Sequence, residues 1–435
     1  MKRLTVGILI IVAITSFVNA AQDEATDVVH PTIGTAISSN GIELRLEQKI
    51  QNIAGGQTQD NDIMSPKSVK ISIDGNSFFI NSLEGYRTVA YNLNDYSKLF
   101  VINHEFTQSD SILWHQGDSQ CLFGNTQMRY DFKGKPVESA LSHGGKYLWV
   151  PYYRRSYDAN ATMCSAIAVI DLEQAIIVRM FTTSVLPKMI ACSQDNHYIA
   201  VSHWGDNTVG LIDISSENPQ DWCYSNIFTV DYRFEVTQSS GKTINRDIGS
   251  GYCLRGTSFT PDDEYLLVGC MGGAGGIAVI DVRNEKYLGR LVGIMPNVRH
   301  LLFSGDYLYL SINADGYIQR IPIEQLYQSI ESLKEGTGKT CQVQCSDQCK
   351  VGAGARTISI SPDGRWLFAA CNSVSAIYVV DTYTMQVALH IPADSYPVGM
   401  DISPDGNTLI VTSQGKHGEG GNSVDIYKII YHDVR

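Results

Sequence analysis

The sequence predicts an all-β fold, a seven-bladed β-propeller of four-stranded antiparallel blades with insertions on its upper face. Three observations carry that expectation. A tight-turn signature recurs seven times along the chain. Its spacing has a floor of 42 residues, against about 40–45 for a four-stranded blade. Short runs rich in Val, Ile and Tyr flank the turns, as strands do.

In chain order, residues 1–20 read as a signal peptide. Lys2 and Arg3 are positive, Val6 to Ile14 is mostly apolar, and Val18-Asn19-Ala20 offers small residues for cleavage near Ala20. The apolar run is too short to span a bilayer, and no later run is long enough. Residues 21–38 read as a disordered lead-in and 39–435 as one propeller domain. Gly41-Ile42-Glu43-Leu44-Arg45-Leu46 alternates like a strand and is placed to close the ring against the last blade.

Two copies of the signature are plain: Ile360-Ser361-Pro362-Asp363-Gly364 and Ile402-Ser403-Pro404-Asp405-Gly406. Each precedes an apolar run, then a second run holding Val379-Val380-Asp381 or Val424-Asp425. Weaker copies are Ile73-Asp74-Gly75, Ser142-His143-Gly144-Gly145, Ser193-Gln194-Asp195-Asn196, Thr260-Pro261-Asp262-Asp263 and Phe303-Ser304-Gly305. Nine residues before the end of each turn stands an anchor: Pro66, Pro136, Pro187, Leu254, Pro296, Ala355 and Pro397. Longer gaps locate insertions near 107–135, 153–164, 216–253 and 333–352, and Ile323 to Leu333 reads as a helix. A lone blade leaves its faces open, whereas seven in a ring cover one another.

These repeats resemble the bacterial YncE-like, or YVTN-repeat, seven-bladed propellers, in which S-P-D-G precedes an apolar strand, a loop and V-I-D. The resemblance spans roughly residues 60–430 and is clearest in blades six and seven; Tyr378-Val379-Val380-Asp381 is the nearest version of the name motif. It is similar more loosely to lactonase-type propellers and to the propeller subunit of quinoprotein amine dehydrogenases. It implies a bacterial source, and the signal peptide an exported protein, periplasmic or secreted.

Charge narrows the partners. Without residues 1–20 the chain keeps 31 basic against 45 acidic residues, a net charge of −14. That argues against nucleic acid and against anionic lipid surfaces. A monomer with no membrane insertion is expected, bound to a small anionic molecule or a protein partner.

The links between blades and the loops between second and third strands share the upper face, so the insertions are expected to gather there. The residue after each anchor falls at the mouth of the central channel: Lys67, Val137, Lys188, Arg255, Asn297, Arg356 and Val398. Four cations converging there would attract a carboxylate, phosphate or sulfate. The alternative is that each pairs with a nearby acid such as Glu138. Upper-face loops add Tyr152, Arg154, His203, Trp204, Asp206, Asn372 and His417, which are either ligand contacts or ordinary loop residues.

Ten Cys in an exported chain suggest disulfides. Cys192, Cys270 and Cys371 fall in strand-like runs and read as buried thiols. Cys223 and Cys253 bracket an insertion and are expected to pair; Cys121–Cys164 and a bridge within 341–349 are weaker candidates. Cys341, Cys345 and Cys349 would align on one helical face, but zinc takes tighter pairs and four ligands. No metal site and no cofactor are expected. The run Gly269 to Gly276 joins two strands, so it is not a phosphate loop, and G-x-S-x-G, H-E-x-x-H and C-x-x-C-H are absent.

The leading expectation is therefore a ligand- or partner-binding propeller without catalysis of its own. One alternative is a lactonase-like hydrolase at the channel, with Glu138, His203 and Asp206 as candidates. A second is the propeller subunit of an electron-transfer or amine-dehydrogenase-like complex.

Overall fold

The computed structural model describes residues 30–432 apart from 55–57, 115–128, 236–245, 247–248, 274, 346 and 417–419. The signal peptide expected over 1–20 lies outside them. Seven small antiparallel sheets form a seven-bladed propeller, mostly of four strands each. Blade one runs from Pro66–Ile71 to Lys98–Asn103, and blade six from Ala355–Ile360 to Gln386–Pro392. The ring closes as the sequence suggests: Ile42–Gln51 pairs with Ser423–Tyr431 of blade seven over nine matched positions. Ala36–Ser39 adds a further strand, so ordered structure starts inside the expected lead-in.

The core lies between blades. Ala200, Val209 and Leu211 of blade three pack with Leu266, Val268 and Ala278 of blade four. Trp366, Phe368 and Ile377 of blade six pack with Leu409, Val411 and the closing-strand residues Leu44 and Leu46. Near-continuous apolar strands result because each sheet is covered on both faces.

The Asp residues of the repeated turns act as turn formers, and the reason is visible in the bonding. Asp363 accepts from Ser361 Oγ and from Arg365 N at 3.1 Å, while Ser361 Oγ accepts Trp366 N at 2.9 Å. Ser403 and Asp405 repeat this with Asn407 N and Thr408 N, at 3.0 and 2.9 Å. Gly364 and Gly406 both sit at φ +74°, the left-handed region that glycine enters without strain.

Two expected insertions divide between the faces. Residues 214–222 join the outer ends of Thr208–Asp213 and Cys223–Thr229 on the lower face, and only the stretch after Thr229 reaches the upper one. Helix α1, Ile323–Glu335, follows Pro322, which pairs with Tyr307 at the lower end of blade five. It buries Leu326, Ile330 and Leu333 against blades four and five. This insertion therefore sits between a third and a fourth strand, not in a link between blades.

Cys341 and Cys349 occupy two separate strands in different sheets, Thr340–Gln342 and Asp347–Lys350, so the helical alignment expected of Cys341, Cys345 and Cys349 does not occur. Nor can Cys223 and Cys253 bridge. Cys223 faces Asp213 at the lower end of blade three, whereas Tyr252 beside Cys253 meets Asn207 at the upper end. The six-residue strand between those levels rises roughly 17 Å, and a disulfide needs Cα atoms within about 7 Å. Cys121 lies outside the described residues. Cys270 and Cys371 are buried as expected, and burial pushes both thiols up to about 12; Cys192 is half-buried.

Candidate functional site

Each innermost strand is irregular just after its first pair. Pro66 pairs with Ser82 but Ser68 with Asn81; Pro187 with His203 but Met189 with Ser202; Leu254 with Cys270 but Thr257 with Val268. Blades five, six and seven shift the same way after Val298, Ala355 and Pro397. A bulge inserts one unpaired residue and re-aims its side chain. Here that residue is Lys67, Lys188, Arg255, Arg299, Arg356 and Val398, with Val137 at the matching step of blade two.

Blade five corrects the sequence reading. Its innermost strand runs to Ser304, which pairs directly with Tyr307 across a two-residue turn. The other turns are longer, so counting back nine residues overshoots by two and lands on Asn297. Asn297 sits outside the strand at φ +70°; its Nδ2 donates to Met271 O at 3.3 Å and its Oδ1 accepts Ala314 N at 3.1 Å. Arg299 holds the channel position.

Four of these cations form one electrostatic cluster. Lys67, Arg255 and Arg356 are 6%, 3% and 7% exposed, and Arg299 is half-buried. Among the described residues, Arg255 alone of the four makes an ion pair, reaching Glu138 of blade two through one guanidinium nitrogen and Lys188 O through the other at 2.8 Å. Among the described residues, no hydrogen bond or ion pair reaches the Lys67 ammonium, and the Nε atoms of Arg299 and Arg356 have no hydrogen-bond partner. Arg356 lies over the Tyr396 ring at 5.9 Å. Burial first, and then the Arg356 and Arg255 charges, hold Lys67 well below the usual lysine range and Arg299 well below the usual arginine range. Burial and Arg255 push Arg356 down to about 10. Glu138 is the carboxylate that opposes these shifts. The paired-cation alternative thus holds for Arg255 and not for Lys67.

The aromatic and polar loop residues do other work. Lys188 Nζ lies over the Tyr153 and Trp204 rings, at 4.0 and 4.9 Å. Trp204 is buried and its indole N–H donates to Arg246 O at 2.7 Å. His203 and Asp206 are buried and joined through Thr208, whose Oγ1 lies 2.8 Å from His203 Nδ1 and donates to Asp206 at 2.7 Å. Asp206 also accepts from Ser184 Oγ and lies 3.5 Å from Arg233. Burial lowers His203 to about 4, so it stays neutral. This is an internal network, which does not place His203 against a substrate.

Tyr152 is wholly buried, its hydroxyl 2.9 Å from His104 Nδ1. Arg154 is half-buried and donates to Ala159 O. Asn372 is buried; its N–H donates to Gly354 O at 3.1 Å. His417 lies outside the described residues. None of Tyr152, Trp204 and Asn372 offers the open surface expected of a ligand contact.

Below the cations lies a cavity of about 650 Å³. Glu138 and His300 line its inner end, and Ile73 and Pro404 lie in turns at the lower face. Burial lowers His300 to about 4, and its Nδ1 accepts Ile358 N at 3.2 Å. Sequence reasoning missed Arg299, His300 and Tyr396. The shortened turn at Gly305-Asp306 was the signal that would have supplied the first two.

No family model matches the chain. Antigen Lp49 of Leptospira interrogans serogroup Icterohaemorrhagiae serovar copenhageni (strain Fiocruz L1-130) is 31% identical over 70 residues, 13% of this chain and 15% of that protein. Among solved structures the chain is similar to Kuenenia stuttgartiensis hydrazine synthase, with a TM-score of 0.58 at 13% identity, over 88% of this chain and 99% of that one. It is also similar to the Cps50 (Swd1) β-propeller domain of Myceliophteria thermophila, with a TM-score of 0.57 at 12% identity, over 84% and 96%. These likenesses show the seven-bladed β-propeller fold.

Proposed function

We propose that this protein is an exported β-propeller that binds a small anion at the inner mouth of its channel, without catalysis of its own. One observation carries the reading: Lys67, Arg255, Arg299 and Arg356 converge on the axis with Glu138 as their one strong counter-charge among the described residues. Burying cations without anions costs several kcal/mol each, so such a cluster persists where something gains from it. An anion supplies the missing charge, and a water-poor channel strengthens each charge-assisted hydrogen bond to it. Export rests on the pattern of residues 1–20. The test is native mass spectrometry of the mature protein from its own host, with Arg356→Ala beside it. A retained adduct lost in the variant supports the proposal. A bare mass in both, together with no heat of binding for phosphate, sulfate or acetate, refutes it.

A further inference from the structure

The cavity beneath the cations has a character of its own. Val69, Ile71, Leu302, Ile358, Met400 and Ile402 are among the residues that line it. Several polar groups on that wall are already engaged. Lys70 pairs with Asp401 at 3.1 Å, and Asp401 also accepts Ile71 N at 2.9 Å. Thr357 Oγ1 donates to Val398 O at 2.7 Å, and Ser359 Oγ to Met400 O at 3.3 Å. A sugar or nucleoside here would leave its hydroxyls facing aliphatic side chains, each at a desolvation cost. A hydrocarbon carries no hydroxyl that needs a partner there.

The two halves of the site adjoin along the innermost strands. Arg299 and Arg356 immediately precede His300 and Thr357, and Lys67 lies two residues before Val69. All three of those followers line the cavity. Glu138, which holds Arg255, lines it as well. The cationic level therefore sits within one or two residue rises, about 3–7 Å, of the apolar wall. At about 650 Å³ the cavity falls in the range that encloses a small organic molecule.

From this juxtaposition we infer that the channel takes an amphiphilic monoanion, its head among Lys67, Arg299 and Arg356 and its hydrocarbon tail pointing down the axis toward Ile73 and Pro404. The inference rests on the anion reading above and adds the chemistry of the remainder of the ligand. A straight or aryl-ended carboxylate or sulfate has that chemistry. A compact inorganic anion would fill the head position and leave the apolar cavity unused.

Calorimetry of the mature wild-type protein with acetate, butanoate, hexanoate, octanoate and decanoate at low salt is the test, with phosphate and 1-octanol as comparators. Affinity is expected to climb roughly fourfold per methylene until the cavity is full, the equivalent of burying each CH₂. Octanoate is expected to bind at least tenfold tighter than octanol. Arg356→Ala should weaken the whole carboxylate series by one common factor and keep its slope. A flat series with acetate and phosphate binding as well as decanoate overturns the tail and leaves the anion site standing. Equal binding of octanol and octanoate overturns the cationic head, and with it both readings. Failure of every anion to bind overturns both as well. The wild-type series separates these outcomes even if the variant does not fold.

Discussion

Arg255 of blade four reaches across the channel to the carboxylate of Glu138 in blade two, so one ion pair ties non-adjacent blades at the axis. The pair does more than join blades. Glu138 is the charge that offsets Lys67, Arg299 and Arg356 as well, so its removal is felt by four cations. Glu138→Gln is therefore expected to destabilise the fold by about 3–5 kcal/mol, the cost of leaving a buried partner unpaired. Urea unfolding checks this. A bound anion should then recover more stability in the variant than in the wild type. An unchanged midpoint would show that solvent already screens the cluster.

Blade five allows a test of register. Arg299 occupies the bulge and Asn297 does not. Arg299→Ala should weaken anion binding about 10–100-fold, the worth of a charge-assisted hydrogen bond in a dry site. Asn297→Ala should leave binding within about twofold, because its side chain serves Met271 and Ala314. Calorimetry with one carboxylate on both variants separates the two. Equal losses would return Asn297 to the channel and remove the bulge argument.

The closing blade carries a pH dependence. Asp425 is wholly buried, neither of its oxygens has a hydrogen bond among the described residues, and Lys49 Nζ lies 3.5 Å away. Lys49 is held closer by Asp394, at 2.6 Å. Burial raises Asp425 to about 6, while Lys49 and backbone N–H groups take Asp394 down to about 2. An acid raised on folding holds more protons folded than unfolded between about pH 4 and 6. Stability from Asp425 thus falls as pH rises through that window and stays reduced above it. Asp394 acts oppositely, and its contribution is lost only as pH falls from about 4 toward 2. Asp425→Asn should be more stable than wild type at pH 7.5, by on the order of 1–3 kcal/mol, and equal to it near pH 4. Thermal midpoints across pH 4–8 read this directly. A constant offset at all pH values would assign the effect to packing.

The fold was legible because its signals are local. Ser361-Pro362-Asp363-Gly364 and its copies build each turn from their own side chains, and the apolar runs beside them face neighbouring blades. The channel position was legible in the blades whose turns share one length, which is how Lys67, Lys188, Arg255 and Arg356 were found. It failed at Arg299 because one turn is two residues shorter. The roles of His203, Trp204 and Tyr152 were not legible, because a residue at a strand end faces either solvent or the neighbouring loop. Here loops bury them: Trp204 beneath Arg246, Tyr152 against His104. The Cys223–Cys253 expectation failed for a related reason, since sequence distance does not report which face each end of a strand occupies.

Closure of the ring also bears on the site. Gly399, in the innermost strand of blade seven, packs on blade one. A Cβ there would come within 2.7 Å of Ser68 Cα and 2.9 Å of Lys67 O, and within 2.6 Å of Thr412 Oγ1. Backbone cannot move aside without shifting the strand that carries Lys67. Gly399→Ala should cost about 1–3 kcal/mol by overpacking and weaken anion binding together with stability. Gly338→Ala, in the segment after helix α1, meets only Thr340 O at 3.8 Å and should change neither beyond about 0.5 kcal/mol. Urea midpoints and carboxylate titration of the two variants make the comparison. If Gly399→Ala loses stability but binds normally, Lys67 is held by its own blade, and the anion site does not depend on closure of the ring between blades seven and one.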